Sequence, residues 1–152
     1  MSIRVLAVGK RHDDWIRDGV SRFEHRLTKP YELRWQFISH AAGGEQFIRD
    51  DESKRMSEKL QPTDFVLLLD ERGTNLSSPE FAESLQGAWQ QRREPTVVIG
   101  GAYGVNDALR ERADLVWSLS RLVFPHQLVR LLLAEQVYRA QEISAGRPYH
   151  HS

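Results

Sequence analysis

The sequence contains no cysteine. This absence excludes disulfides, thiolate zinc sites and a cysteine nucleophile, and it fits a reducing compartment. Long apolar runs are also missing: no stretch approaches the about 20 residues needed to cross a bilayer. The short N-terminal apolar run is followed at once by charged residues, so it does not have the pattern of a signal peptide. We therefore expect a cytoplasmic protein without a membrane partner.

An excess of charge of either sign is absent as well. Lys plus Arg number 21 and Asp plus Glu number 21, which argues against nucleic-acid binding by bulk electrostatics. Only four of the basic residues are lysines, and arginine is the side chain suited to bidentate phosphate contacts. A solvated surface and a local patch, doubled across a symmetric dimer, both remain open. The candidate patch comprises Arg110, Arg112, Arg121, Arg130, Arg139 and Arg147.

The 152 residues suffice for one domain, and we treat 1–152 as a single unit. Apolar, β-branched runs predict five strands, and helical spacing or capping signals lie between them. This alternation indicates an α/β fold with a largely parallel sheet. The predicted strands are Ile3–Val8, Tyr31–Ile38, Phe65–Leu69, Pro95–Ile99 and Leu115–Leu119. The predicted helices are 15–27, an exposed and uninformative 45–60, one capped by Ser77, one capped by Asn106 or Asp107, and 125–145.

Ligands of open parallel sheets bind beyond the carboxyl ends of the strands, so the loops after Leu69, Ile99 and Leu119 are the candidate site. The second loop carries three glycines in five residues, which suits either a tight turn or close approach of a ligand. No GxGxxG, Walker or GxSxG motif accompanies it, which disfavours dinucleotide and triphosphate sites. The histidines lack metal-ligand spacing, so we expect no metal.

The last predicted helix is mostly apolar but carries Glu135 and Arg139 four residues apart. Such a pair can be a surface ion pair worth a few tenths of a kcal/mol. On a helix this apolar, an interface or a functional site is the stronger interpretation. The loop before it, 119–126, combines apolar side chains with Ser120 and Arg121, as expected of a pocket wall.

Several segments together resemble the RlmH family of SPOUT methyltransferases: IGGAYG, WSLSRLVFPHQLVRLLLAEQVYRAQEI and the terminal GRPYH. The opening IRVLAVGK and the central VLLLDERGTNLSSPEFA are similar to that family too, so the resemblance covers nearly the whole chain. Residues 34–60 are the least diagnostic. The departures are Ala102-Tyr103 after the glycine pair and the additional His151-Ser152.

The resemblance implies a parallel α/β sheet whose C-terminal part forms a deep trefoil knot, a rare topology that periodicity alone does not reveal. It also implies that the knot's loops hold S-adenosylmethionine as methyl donor. By position, the cofactor-binding residues are expected to be Leu69, Gly100, Gly101, Gly104, Leu119, Ser120, Arg121, Leu122, Val123 and Phe124.

The reaction implied is methylation of N3 of a pseudouridine in the helix 69 loop of 23S rRNA, by a homodimer acting on the assembled 70S ribosome. Direct displacement at a sulfonium methyl needs positioning and a deprotonated ring nitrogen. We expect Arg130 or Arg139 to stabilise the developing anion or grip phosphate, and Tyr149 and His150 to close over the base. Each site would borrow residues across the dimer. The full candidate set is His126, Arg130, Glu135, Tyr138, Arg139, Tyr149 and His150, and the sequence does not choose the proton acceptor.

Two alternatives remain. The chain could be a ribosome-binding module that keeps the knot and has lost catalysis, although the intact IGG, LSRLVF and PYH segments argue against loss. It could instead methylate transfer RNA or another RNA. Stronger basic charge or an appended RNA-binding domain would favour that reading, and the sequence has neither.

Overall fold

A computed structural model describes residues 1–151, so the second of the two additional C-terminal residues, Ser152, lies outside the described part. The described residues form five strands and five helices in strict alternation. In chain order they are β1 (Ile3–Val8), α1 (Asp14–Glu24), β2 (Leu33–Ile38), α2 (Glu45–Ser57), β3 (Asp64–Asn75), α3 (Ser78–Gln90), β4 (Glu94–Ile99), α4 (Asp107–Arg112), β5 (Leu115–Ser118) and α5 (His126–Ser144).

The strands form one sheet in the order β2-β1-β4-β3-β5, and every neighbouring pair is parallel. Alternate residues of the strands pack on opposite faces, as the pleat dictates. Val5 and Leu67 face the cluster formed with α1, α3 and α5, whereas Leu6 and Leu68 face α2 and α4. The predicted α/β class with a parallel sheet is therefore confirmed. The trefoil knot stays a prediction.

Most element boundaries agree with the sequence within a few residues, and the capping signals were informative. Ser77 accepts a hydrogen bond from the Glu80 amide while Glu80 reaches back to the Ser77 amide, which completes a capping box. Asn106, rather than Asp107, caps α4. α1 ends at Glu24, before the position near Pro30 that the sequence suggested, although Leu27 still packs into the core.

β3 is longer than predicted because it pairs with β5 twice. Leu69 and Thr74 both pair with Trp117, so the chain bulges between them before the strand resumes. Gly73 lies against the β5 backbone, where a Cβ would come 2.5 Å from the Val116 carbonyl oxygen. Only glycine permits this approach.

The expectation of an exposed, uninformative second helix was wrong. α2 buries Glu52, Ser53 and Met56 against the sheet and the glycine-rich loop. The many charges of the segment hid an i, i+4, i+8 stripe of Ile48, Glu52 and Met56, which places a carboxylate on the buried face. This carboxylate is part of the site described next.

Candidate active site

A cavity of about 1010 Å³ opens beyond the carboxyl ends of β3, β4 and β5. These strands are neighbours in the sheet, so the three loops that the sequence singled out meet there. The volume is at the upper end of the ~300–1,000 Å³ typical of small-molecule sites, which leaves room for more than one small group. Nine of the ten predicted cofactor residues line it: Leu69, Gly100, Gly101, Gly104, Leu119, Ser120, Leu122, Val123 and Phe124. Arg121 is exposed and does not.

The glycine-rich loop is a tight turn that also forms a wall of the cavity. The Gly104 amide donates to the Gly101 carbonyl at 3.0 Å, and Gly104 has a φ of +73°. A Cβ built on Gly104 would meet no atom within 4 Å, so a ligand can approach the backbone closely at this point. The two interpretations offered by the sequence, turn and ligand wall, are compatible in this geometry.

The Glu52 side chain packs against the glycine-rich loop at Gly101. The sequence did not predict this contact. The Glu52 side chain is 1% exposed, and its Oε2 accepts a hydrogen bond from the Ala41 amide at 3.0 Å. Its Oε1 has no partner within the described residues and lies where a Cβ on Gly101 would approach to 2.6 Å. The carboxylate therefore limits what can occupy position 101.

Replacing Gly101 with alanine should lower the free energy of unfolding by ~1–3 kcal/mol, because the added methyl group meets a buried carboxylate that has little room to move. Gly87→Ala is the matched control, since nothing lies within 4 Å of its Cβ and alanine favours the helix interior. Urea denaturation measures both. In a Glu52→Ala background, Gly101→Ala should lower the free energy of unfolding much less. An equal loss in both backgrounds would contradict the contact between the added methyl group and Glu52.

The cavity wall after β3 is polar. Asp70 forms ion pairs with Arg110 at 3.0 Å and Arg72 at 3.2 Å. Burial raises the pKa of Asp70, but the hydrogen bonds from Arg72 and the charges of both arginines outweigh it and hold the pKa below its usual value. Asp70 therefore remains ionised beside the cavity at neutral pH.

His126, at the start of α5, also lines the cavity. Its Nε2 accepts a hydrogen bond from Nη2 of Arg130 at 3.1 Å. Burial and the Arg130 charge lower the pKa of His126 to about 4, so the ring is neutral at physiological pH. Arg130 itself is completely buried behind it, with 0% exposure.

Four of the other predicted residues form a separate cluster between the second half of α5 and the C-terminal tail. We call it the C-terminal cluster, and it comprises Glu135, Arg139, Tyr149 and His150. Arg139 donates to Glu135 Oε2 at 2.7 Å and to Nδ1 of His150 at 3.1 Å, and its guanidinium lies over the Tyr149 ring at 4.8 Å. The Tyr149 hydroxyl donates to Glu135 Oε2 at 2.9 Å.

Tyr149 is a hydrogen-bond donor throughout the physiological pH range. Burial, the hydrogen bond to Glu135 and the charge of that carboxylate raise the pKa of Tyr149. Tyr138, the remaining candidate, is buried edge-on against the Tyr149 ring and donates to Glu142 instead of joining the cluster.

A single chain does not bring the two groups of residues together. His126 and Arg139 are thirteen residues apart on the same helix. At 1.5 Å per residue this separation is about 20 Å along the axis. Contact of both His126 and Arg139 with one substrate group therefore requires a second copy of the chain or a rearrangement.

The arginine patch suggested by the sequence is mostly neutralised. Arg110, Arg112, Arg139 and Arg147 each form an ion pair with a carboxylate, and Arg130 is buried. Arg121 is exposed and, unlike the exposed Arg147, forms no salt bridge within residues 1–151. Most of these arginines therefore belong to surface ion pairs and do not form a patch of free positive charge.

Two general features complete the description of residues 1–151. None of the helices is long and apolar enough to traverse a bilayer. No group of three or more histidine, aspartate or glutamate side chains in this part of the chain is arranged to hold a metal ion.

The fold and the cavity define a parallel α/β protein with a small-molecule site at the carboxyl edge of its sheet. Solved structures with the same fold include a probable methylase family protein from Haemophilus influenzae Rd KW20, with a TM-score of 0.57 and 10% identity over 99% of this chain and 70% of that one. A putative methylase family protein from Neisseria gonorrhoeae matches with a TM-score of 0.54 and 11% identity, over 99% of this chain and 86% of that one.

Sequence comparison is more specific. The family described as "Predicted SPOUT methyltransferase" matches residues 1–150. A protein named ribosomal RNA large subunit methyltransferase H from Geobacter metallireducens is 43% identical over 100% of both chains. One of the same name from Desulfitobacterium hafniense is 37% identical over 99% of both chains. The chain therefore belongs to the RlmH family of SPOUT methyltransferases.

Proposed function

We propose that this methyltransferase uses S-adenosylmethionine to methylate N3 of a pseudouridine in the helix 69 loop of 23S rRNA, on the assembled ribosome in the cytoplasm. The observation that carries the proposal is the cavity at the β3–β4–β5 edge, lined by nine of the positions that the family resemblance assigns to the cofactor. The names of the full-length relatives support ribosomal RNA of the large subunit as the substrate.

The residues of the cavity fit this cofactor. Leu69, Leu119 and Phe124 supply apolar surface for an adenine ring, and the open backbone at Gly104 can exchange hydrogen bonds with polar groups. His126 is neutral, and the ionised Asp70 offsets part of the positive charge that Arg72 and Arg110 bring to the cavity wall. When bound, the cofactor supplies an electrophilic methyl group.

The active form is proposed to be a homodimer, because His126 in the cavity and Arg139 in the C-terminal cluster are about 20 Å apart along α5 of one chain. A two-fold axis presents the same surface of both copies and can set the C-terminal cluster of one against the cavity of the other. Exposed apolar side chains support a covered surface at the α1 and α5 N-termini: Trp15, Leu122 and Val123 are 62%, 70% and 78% exposed.

Within this assembly, Arg139 is the better placed of the two arginines considered for charge stabilisation. Its side chain is partly exposed and oriented by Glu135, whereas Arg130 is enclosed. Arg139 would donate to the uracil ring as negative charge develops on deprotonation of N3, and it could also contact phosphate. Tyr149 and His150 would close over the base, and the hydrogen bond to Glu135 holds the Tyr149 ring in place.

The proposal is tested by incubating the purified protein with 70S ribosomes that lack the modification and with methyl-labelled S-adenosylmethionine. Mass spectrometry of nuclease fragments of 23S rRNA should locate one methyl group on a helix 69 pseudouridine. Isolated 23S rRNA, 50S subunits and transfer RNA serve as comparison substrates. Labelling of transfer RNA instead would favour the other-RNA alternative, and ribosome binding without labelling would favour a non-catalytic module.

A further inference from the structure

Arg130 is a buried cation without a carboxylate partner. Its Nη1 donates to the Lys10 carbonyl at 2.8 Å and to Nδ1 of His12 at 3.3 Å, and its guanidinium lies 4.9 Å from the centre of the Phe37 ring. It forms no salt bridge within residues 1–151, and its Nε has no hydrogen-bond partner there. Burying an unpaired charge is unfavourable, and an apolar side chain would serve packing alone better.

The hydrogen bonds of Arg130 fix the tautomer of His126. A guanidinium only donates, so Nε2 of His126 must accept from Nη2 of Arg130. The proton of the neutral ring is therefore on Nδ1. His126 and Gly100 both line the cavity. Arg130 thus orients an imidazole that forms part of the cavity wall.

Burial and the neighbouring cation keep His126 neutral. Burial lowers the pKa of His126 most, and Arg130 and His40 lower it further, against an opposing effect of the Gly100 backbone. His12, on the other side of Arg130, is also held neutral, because burial and Arg130 lower its pKa to about 4. Two carboxylates lie near the residues around His126. Asp13 interacts electrostatically with Arg130, and Glu52 Oε2 lies 3.8 Å from Nδ1 of His40.

We propose that Arg130 is a positioning residue that acts through His126, holding this imidazole in one orientation and one neutral tautomer at the wall of the cofactor cavity. Arg130 touches neither the cavity nor the C-terminal cluster, so this role differs from direct stabilisation of the anion. The inference rests on the proposed function only in taking the cavity as the cofactor site.

The first test needs neither cofactor nor activity. Nitrogen-15 NMR of the wild-type histidines should show His126 as the Nδ1–H tautomer from pH 5.5 to 8, with no titration in that range. An Nε2–H tautomer, or a midpoint near the ordinary pKa of about 6.5, would overturn the proposal. This result stands even if the protein does not bind S-adenosylmethionine.

The second test is calorimetric titration with S-adenosylmethionine at pH 7.5 and pH 5.5. Arg130→Met should weaken binding about tenfold at pH 7.5, the order expected for losing a charge-assisted hydrogen bond. The loss should be greater at pH 5.5, because removal of the cation and of its hydrogen bond to Nε2 raises the pKa of His126 and increases the protonated fraction beside the sulfonium. Wild-type affinity should differ by less than about twofold between the two pH values, because a pKa of about 4 leaves His126 neutral at both.

Two further variants separate this role from a general loss of packing. Arg130→Lys keeps the cation, so its affinity should remain independent of pH. Arg130→Met combined with His126→Phe should lose the pH dependence of Arg130→Met alone. A folded Arg130→Met with the wild-type affinity at both pH values would refute the proposal, and if that variant does not fold, the NMR measurement decides.

Discussion

Mixing two inactive variants is expected to restore about a quarter of the wild-type methyl transfer, if each active site combines the cavity of one chain with the C-terminal cluster of the other. Gly100→Trp destroys the cavity, since even a Cβ at Gly100 would lie 2.9 Å from a Val105 methyl group. Arg139→Ala destroys the C-terminal cluster. Half of the dimers in a randomised mixture are heterodimers, and one of the two sites in each contains neither lesion.

The control for this experiment mixes two variants of the same side, Gly100→Trp and Leu119→Arg, which should remain inactive together. Subunits are exchanged by brief unfolding and refolding, and recovery of dimers is checked by light scattering. Absence of rescue in a sample that contains heterodimers would show that both parts of the site come from one chain. The C-terminal cluster would then have to reach the cavity by rearrangement.

Arg139→Ala alone should lower kcat by ~10²–10³ and leave the affinity for S-adenosylmethionine unchanged, because the lost donor acts on charge that develops during the reaction. In the proposed dimer Arg139 contacts the rRNA base rather than the cofactor, so cofactor binding should not depend on it. Arg139→Lys should restore little of the lost activity, since an ammonium group lacks the planar guanidinium that contacts Glu135 and His150 simultaneously.

Arg147→Ala is the matched control for Arg139. It is also an arginine paired with a glutamate at the C-terminal end of the chain, through Glu142, but its side chain is half-exposed and lies outside the C-terminal cluster. Its removal should change kcat less than about twofold, as expected for an exposed ion pair. Equal losses for both variants, or a weakened cofactor affinity in Arg139→Ala, would contradict the assigned role.

Much of the fold could be predicted because strands and caps carry local signals. The buried runs that became β1, β3 and β4 are continuous and apolar, and the Ser77–Glu80 box marks the start of α3. The cavity followed from one physical rule, that ligands of parallel sheets bind at the carboxyl edge. Since β4, β3 and β5 are adjacent, their loops had to converge.

Features that depend on long-range packing could not be predicted. Glu52 sits in a segment whose charge suggested exposure, and only the tertiary structure shows that the carboxylate lies beneath Gly101. Arg130 and Arg139 are the same residue type on the same helix, and the sequence does not distinguish them. In the structure Arg130 is buried between two neutral histidines, whereas Arg139 lies at a partly exposed surface. The shared dimeric site that the resemblance implies stays a proposal, and the mixing experiment tests it.

The most direct test of the central claim, that the β3–β4–β5 cavity binds the methyl donor, is calorimetric titration of the purified protein with S-adenosylmethionine. The wild-type protein and the Gly87→Ala control should bind with equal affinity, whereas Gly100→Trp, confirmed as folded by circular dichroism, should show no binding. Unchanged binding by a folded Gly100→Trp would place the cofactor elsewhere. Absence of binding by the wild-type protein, with ribosomes present as well as without them, would contradict a catalytic function.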